Sequence, residues 1–339
     1  MQLAITGGSG YVGTNLVRLL LQQGHQVRVI DRSPPRDLGR AGLSYVEANI
    51  LDPQQVAEAL KGVEILFHLV AKITLAEEDP VAWTLNVDGV RVVAEAALAS
   101  GVRRMVHCSS IHAFDQYRCG GHITLDSARS TARDIPVYDR SKWAGEQELQ
   151  KVIAKGLDAV ICNPTGVYGP VDYTHSRVND TLLQSGLGKL PAITEGGFDF
   201  VDVRDVAKGL ALAAEKGRTG ANYILGGHYL SMMEITRLAA QAVGRPGPRR
   251  ALPLWLLRLL LPLIGPLSAR SGREPMTKAS IAAIAASPHV DLSATQRDLG
   301  YAPRPAAEST RDLMAFYIGT GKLAPEPGVS LPALAEDAL

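Results

Sequence analysis

The stretch Thr6-Gly7-Gly8-Ser9-Gly10-Tyr11-Val12-Gly13 restricts this chain more than any other. It follows a short apolar run, Leu3-Ala4-Ile5, and opens onto Leu16, Val17, Leu19 and Leu20, which recur at helical spacing. The order is therefore strand, glycine turn, helix. Glycines at 7, 10 and 13 serve a tight turn, backbone room for a pyrophosphate, and close packing of helix on strand. At the helix start, free N–H groups and the helix dipole favour negative charge. Three glycines occur in many turns, and this spacing, G-x-x-G-x-x-G, differs from the commoner G-x-G-x-x-G. The flanking strand and helix are what point to a dinucleotide. Gly7, Gly10, Tyr11, Val12 and Gly13 form the expected cradle.

After that helix, Gln26-Val27-Arg28-Val29-Ile30-Asp31 reads as a second strand ending in a carboxylate. Asp31 falls where dinucleotide folds place the acid that bonds the adenosine ribose. Arg32, next to it, could instead accept a 2′-phosphate. A carboxylate against a phosphate dianion in a partly dry site is costly, so the pair favours NAD, with NADP as the second option. A third strand is expected at Ser44–Glu47, a helix from Pro53 to about Lys61, and a buried strand at Val63–His68. A helix over Trp83–Ser100 and a strand over Arg104–Cys108 follow. Strands alternating with helices predict an α/β fold, a Rossmann-type doubly wound parallel sheet.

With 339 residues, the chain can build one large core or two lobes. A formal net charge of +1 gives no field to recruit nucleic acid or an anionic membrane. Cys108, Cys119 and Cys162 have neither C-x-x-C spacing nor a histidine pattern for zinc. No metal is expected, and reduced thiols suit a cytoplasmic protein. The first strand begins at Gln2, which leaves no room for a signal peptide. The most apolar stretch, Leu252–Leu267, is short for a membrane span, and Pro253, Pro262, Pro266 and Arg258 interrupt it. It reads as a buried or pocket-lining helix, the alternative being a surface that touches lipid or a lipid-like substrate. Stable membrane insertion is not expected.

Ser109-Ser110 close the Arg104–Cys108 strand, at the carboxyl edge where open α/β sheets bind ligands. Further on, Tyr138-Asp139-Arg140-Ser141-Lys142 opens a helix running to about Lys155, and spacing i, i+4 puts Tyr138 and Lys142 on one face. A phenol titrates near 10 and is a poor catalyst at neutral pH. A neighbouring ammonium favours the phenolate and should bring it toward the working range.

With these features in place, the chain resembles the extended short-chain dehydrogenase/reductases. The likeness rests on Thr6–Gly13, Asp31, Asn49-Ile50, His68-Leu69-Val70-Ala71, Asn86-Val87-Asp88-Gly89, Ser109-Ser110, Tyr138-x-x-x-Lys142 and Asn163-Pro164-Thr165-Gly166-Val167-Tyr168-Gly169-Pro170. It implies Ser110 as the catalytic serine, Tyr138 as general acid/base, and Lys142 as the residue that holds the nicotinamide ribose and tunes Tyr138. Asn86 would orient groups near the site, and Asn49 and Ile50 would contact adenine, although Asn49 stands where the family usually has Asp. Leu69, Val70, Ala71 and Pro164 would also line the cofactor. Residues 1–162 form the expected NAD(P)-binding part, with 198–230 returning to it. Residues 163–330 form a substrate lobe, and 322–339 a loose tail. A homodimer is common in the resembled family.

Sugar-nucleotide members of the family grip a substrate pyrophosphate with arginines. One usually stands just before the segment matching Asp199-Phe200-Val201, where this chain has Phe198. The run Ser280–Ser287, where another is usual, has none. An aromatic ring supplies no charge-assisted bond. Phe198 and Asn163 are therefore expected at a hydrophobic small-molecule substrate. The motifs are similar to the dihydroflavonol-reductase-like and 3β-hydroxysteroid-dehydrogenase-like branches. The expected reaction is hydride transfer between nicotinamide and a secondary alcohol or ketone. Three alternatives stand beside it: Phe198 as a core aromatic with Arg177, Lys189 or Arg204 holding a phosphate; a sugar-nucleotide epimerase or dehydratase with retained NAD; and a non-enzymatic cofactor sensor, which would commonly lack the Tyr138/Lys142 pair. His112, Asp115, Tyr117 and His175 are left as pocket or loop residues without a role.

Overall fold

A computed structural model of the chain describes residues 1–174, 176–259, 261, 278–332 and 334. Seven parallel strands form the main sheet: β1 (Gln2–Thr6), β2 (Gln26–Asp31), β3 (Leu43–Glu47), β4 (Ile65–His68), β5 (Arg104–Cys108), β7 (Ala159–Pro164) and β11 (Asn222–Leu225). Their spatial order is β11-β7-β5-β4-β1-β2-β3, which reverses at β1 and β4. That reversal is where doubly wound sheets bind ligands, beyond the carboxyl ends of the strands. β1 explains the layering. Leu3 and Ile5 point into a core shared with Leu16, Val17 and Leu20, while Ala4 points into the opposite core with Ile30, Leu66 and Val93. Alternate side chains go to opposite faces, so a central strand covered on both sides is apolar throughout.

The helices are α1 (Tyr11–Gln22), α2 (Pro53–Ala59), α3 (Pro80–Asn86), α4 (Asp88–Ala99), α5 (Val137–Ile153), α6 (Arg177–Gly186), α7 (Val203–Lys216), α8 (Met232–Ala242), α9 (Lys278–Ala286), α10 (Ser293–Leu299) and α11 (Ala306–Gly319). The single helix expected over Trp83–Ser100 is two. α3 begins earlier, where Asp79 caps it by accepting the Ala82 N–H, and the chain kinks at Val87 with ψ −65° and φ −114°. The kink accompanies a tight crossing of α3 on α5, since a Cβ at Gly145 would stand 2.3 Å from the Asn86 carbonyl oxygen.

A three-stranded sheet pairs β10 (Gly197–Asp202) in parallel with β8 (Gly166–Tyr168) and antiparallel with β12 (His228–Ser231). Of residues 198–230, β11 lies in the main sheet and β10 in this smaller one. The reason lies in β10's two buried faces: Val201 enters the main core, while Phe200 enters a second core with Leu182, Ile235, Leu313 and Tyr317. Two short pairs complete the strands: β6 (His122–Ile123) with β14 (His289–Val290), and β9 (Ala192–Thr194) with β13 (Arg250–Leu252).

Two other expectations need correction. The tail from 322 is docked at its start: Leu323 is buried, the Glu326 N–H donates to the Val243 carbonyl, and Glu326 pairs with Arg245 at 2.7 Å. Of Leu252–Leu267, residue 260 and residues 262–267 lie outside the described residues. Within the described part Leu257 is buried, but Trp255 and Leu259 are 66% and 68% exposed, so it is not a buried helix. Among the described residues no helix is long and apolar enough to cross a membrane.

Candidate active site

The glycine turn is built as a cradle. Gly7 adopts φ +75°, and the Gly10 N–H donates to the Gly7 carbonyl at 3.1 Å. A Cβ at Gly13 would lie 2.3 Å from that same oxygen and 2.6 Å from Gly8 Cα, both backbone atoms. Gly10 precedes α1 as its N-cap with no side-chain cap, and the helix has no acid in its first turn. Its first N–H groups are thus left for a ligand. Tyr11 contributes backbone only: its hydroxyl donates to the Gly169 carbonyl (2.8 Å) and accepts from Asn179 Nδ2 (3.1 Å). The Val12 side chain packs on the main core.

Beyond the turn runs a trough of about 890 Å³, walled by Gly7, Gly10, Asp31, Arg32, Asn49, Ile50, Leu69, Val70 and Ala71. The Asp31 carboxylate is fixed at its lip, Oδ2 accepting from the Ser9 N–H (3.1 Å) and Oδ1 from the Arg32 N–H (2.7 Å). Asn49 spends its side-chain carbonyl on the Leu51 N–H, and Ile50 is buried against α4 at Gly89. Asn86 grips Lys72 through both backbone groups, accepting its N–H at 2.8 Å and donating to its carbonyl at 3.0 Å. It also donates to Ser141 Oγ on α5 at 2.9 Å. Its role is to tie the wall of the trough to the tyrosine helix.

At the inner end stand Ser110, Tyr138 and Lys142, all buried. The Ser110 hydroxyl accepts the His112 N–H at 3.2 Å and hydrogen-bonds the Tyr138 phenol. Lys142 Nζ donates to the Cys108 carbonyl at 3.0 Å, and burial lowers its ammonium below the ordinary lysine value. The expected acidification of Tyr138 is absent in this state. Burial pushes the phenol well above its ordinary value, and the Ser110 hydrogen bond only partly offsets that. The Lys142 ammonium is committed to the Cys108 carbonyl, and desolvation dominates.

Asn163, expected at the substrate, is fully buried behind the site. Its Nδ2 donates to the Ser110 carbonyl (2.9 Å) and to Glu146 (2.7 Å), and its Oδ1 accepts from Asn222 (2.9 Å). Glu146 also accepts the Ser109 hydroxyl at 2.5 Å. This network fixes the backbone that carries Ser110. Pro164 ends β7 opposite Leu225 and lines neither the trough nor the neighbouring cavity.

That second cavity, of about 400 Å³, opens beside Tyr138. Its walls are mostly apolar, with Ile73, Leu75, Ile111, Val178, Phe198, Phe200 and Met232 among them. Phe198 stands in the wall as expected and packs edge-on against Phe200. Of the basic residues weighed for a phosphate, Arg204 is consumed in the fold, bound to Asp202 at 2.7 Å and Asp312 at 2.9 Å. Lys189 is not in the wall; Arg177 is.

A cradle for a pyrophosphate, a trough ending in a fixed carboxylate, and a Ser-Tyr-Lys set at its inner end occur together on one sheet edge. The profile described as "NAD dependent epimerase/dehydratase family" matches residues 3–226. The chain belongs to this family. Its relatives include sterol demethylase protein B of Methylococcus capsulatus, 32% identical over 95% of this chain and 100% of that protein. Another is a 3-beta-hydroxysteroid dehydrogenase of Mycolicibacterium neoaurum, 28% identical over 89% of this chain and 87% of that one. Among solved structures, that of gox2253 superposes with a TM-score of 0.82 at 32% identity, covering 95% and 99% of the two chains.

The family member described here is an NAD-dependent enzyme of the extended short-chain dehydrogenase/reductase type. Its residues fit the cofactor: a Cβ at Gly13 would close the cradle, the α1 N-terminus is uncapped, and Asp31 is fixed at the trough's lip. Glu146 and Asp199 were missed from sequence. Asp199 is buried in the cavity wall, where desolvation raises its carboxyl above the ordinary value while Thr165 (2.7 Å) and the Gly227 N–H (2.8 Å) bond it. Glu146 carries no local motif, and the Asp199-Phe200-Val201 segment is read from sequence only for the residue before it.

Proposed function

We propose that this enzyme exchanges a hydride between NAD and a secondary alcohol or ketone on a hydrophobic small molecule. The observation that carries the reading is the apolar cavity that opens directly on Tyr138. A sugar nucleotide would bring a pyrophosphate needing several charge-assisted bonds, and Arg177 is the one arginine or lysine among the described wall residues. Residues 1–162 would hold the cofactor, and 163–330 would supply most of the substrate wall. A cytoplasmic homodimer is part of the same reading, the compartment argued from the free cysteines and the dimer from the family resemblance; sedimentation velocity checks the dimer.

Bound NAD supplies the hydride acceptor, or as NADH the donor. The chain supplies the proton and the geometry. Its raised phenol keeps Tyr138 protonated at neutral pH, the form that gives a proton to a carbonyl oxygen. Ser110 donates a second hydrogen bond to that oxygen and stabilises its developing charge. Lys142 orders the site through Cys108 and would hold the nicotinamide ribose. Asn163 and Asn86 position these groups from behind.

The test pairs wild type with Tyr138→Phe, measuring NADH consumption on hydrophobic ketones and NADH affinity by fluorescence. General acid catalysis contributes about 10²–10⁴-fold, so turnover should fall by that factor while affinity holds. Unchanged turnover refutes the role of Tyr138. Conversion of UDP-glucose without net cofactor consumption would replace the reading with an epimerase.

A further inference from the structure

The net charge of +1 is unevenly placed along the chain. From Ile235 to Arg273 the sequence carries seven arginines and neither Asp nor Glu. Arg237 and Arg245 are consumed in the fold, the first donating to the Pro248 carbonyl and the second pairing with Glu326. Arg249, Arg250 and Arg258 are exposed and make no ion pair among the described residues. Across the pairing of β13 with β9, residues 187–196 add the exposed Lys189 and a single acid, Glu195.

Between these arginines the chain turns helically over 254–259, the Leu257 N–H donating to the Pro253 carbonyl at 3.3 Å. A step of two residues reverses the face of a helix, and burial follows it. Leu257 is buried, whereas Trp255 and Leu259, one turn apart, are the pair left in solvent. Arg258 stands three residues after Trp255, on the same side of the turn. Trp is suited to the level of lipid headgroups, its apolar body turned inward and its N–H toward water. Uncompensated arginines beside it attract anionic headgroups. An apolar tip flanked by such charges fits the surface of an anionic bilayer.

Its place in the fold connects this tip to the site. The Glu195 N–H donates to the Leu252 carbonyl at 2.9 Å, and from Glu195 the chain runs into β10, whose Phe198 lines the apolar cavity. We propose that residues 249–259 dock this protein reversibly on membranes containing anionic lipid, Trp255 and Leu259 entering the headgroup layer while Arg249, Arg250 and Arg258 pair with lipid phosphates. The docking stands on this surface alone. Its purpose, to collect a hydrophobic substrate that dissolves in lipid better than in water, rests on the reading above.

The experiment is flotation of the full chain with vesicles of phosphatidylcholine alone and of phosphatidylcholine with about 30% phosphatidylglycerol. Wild type should rise with the anionic vesicles, stay behind with the neutral ones, and be released as salt is raised. Each arginine near such a surface contributes about fivefold, so Arg249→Gln/Arg250→Gln/Arg258→Gln should weaken partition by roughly 100-fold. Trp255→Ser/Leu259→Ser should weaken it by roughly 10-fold or more. On anionic vesicles the tryptophan emission should shift to the blue in wild type and not in Trp255→Phe, which keeps Trp83 and Trp143 and should still bind. NADH affinity by fluorescence confirms that the variants are folded. Wild type left behind with anionic vesicles, equal partition onto both vesicle types, or full binding by Trp255→Ser/Leu259→Ser overturns the proposal. So does a dimer that Trp255→Ser/Leu259→Ser abolishes in sedimentation velocity without vesicles, which would give the face to a second copy of the chain. None of these outcomes touches the reductase reading, because no substrate is present.

Discussion

His68 and His107 lie side by side at the ends of β4 and β5, their rings stacked with centroids 5.4 Å apart and sealed from solvent. His68 Nδ1 is 2.6 Å from Thr6 Oγ1, while His68 Nε2 and His107 Nδ1 have no hydrogen-bond partner among the described residues. Burial, with the nearby Lys142 charge second, lowers His68 to about 3. The same two causes, in that order, take His107 well below its ordinary value. Both are therefore neutral in the folded protein at pH values where the unfolded chain binds a proton at each. Stability is complete above the ordinary histidine value of about 6.5 and falls as pH drops through that value toward His68's own. His68 costs about 1.4 kcal/mol per pH unit between those two values, so by about pH 4.5 it alone removes roughly 3 kcal/mol, and His107 adds to the loss in the same direction. Typical total stabilities are about 5–15 kcal/mol, so the loss is large. Ordinary carboxylates titrate near 4 and contribute mainly below this window. His68→Asn keeps a polar atom for Thr6 and removes one of the two titrations. Urea unfolding between about pH 6.5 and 4.5 should show its free energy falling less steeply than wild type by about 1.4 kcal/mol per pH unit. Parallel curves for variant and wild type would refute the buried, neutral pair.

Gly13→Ala should cut NADH affinity by roughly 100-fold or more, because the added carbon meets backbone that cannot move without opening the cradle; fluorescence titration showing wild-type affinity would refute this. Asp31→Ser removes the fixed carboxylate and leaves Arg32, which makes no ion pair among the described residues, so the NADH to NADPH preference should shift toward NADPH by about 10-fold or more. Kinetics with the two cofactors read it directly, and an unchanged ratio counts against the assigned role of Asp31. Arg204→Met removes the side chain that binds both Asp202 and Asp312 and leaves the buried Asp202 carboxylate with the residue-204 N–H and the more distant Arg304 at 3.7 Å, so it should cost at most about 3–5 kcal/mol, visible by calorimetry as a lower Tm. A wild-type Tm would show that Asp202 does not depend on this pair.

What could be read from the sequence was local. The turn at Gly7–Gly13, the acid ending β2, and the i, i+4 pair Tyr138/Lys142 each depend on neighbours a few residues away, and each stands where its pattern put it. What could not be read depended on which face a side chain takes and what the fold brings against it. Asn163 follows Cys162 on β7, a strand buried throughout, so its position beside the site gave no clue that it bonds the back of Ser110. His112 and Asp139 are 27 residues apart, and their contact exists because β5 and α5 deliver their ends to one edge of the sheet. Tyr138 shows the limit most sharply. The motif names the two residues and expects a lysine to acidify the phenol, but the phenol's shift runs the other way, because burial dominates it and the Lys142 ammonium donates to the Cys108 carbonyl. A motif specifies which groups meet; the protonation state they meet in is set by burial, which has no local signature. It follows that an ammonium freed from the Cys108 carbonyl would act on Tyr138 in the direction the motif implies. The phenol's affinity for its proton should therefore depend on what occupies the trough beside Lys142, and not on the Tyr138/Lys142 pair alone.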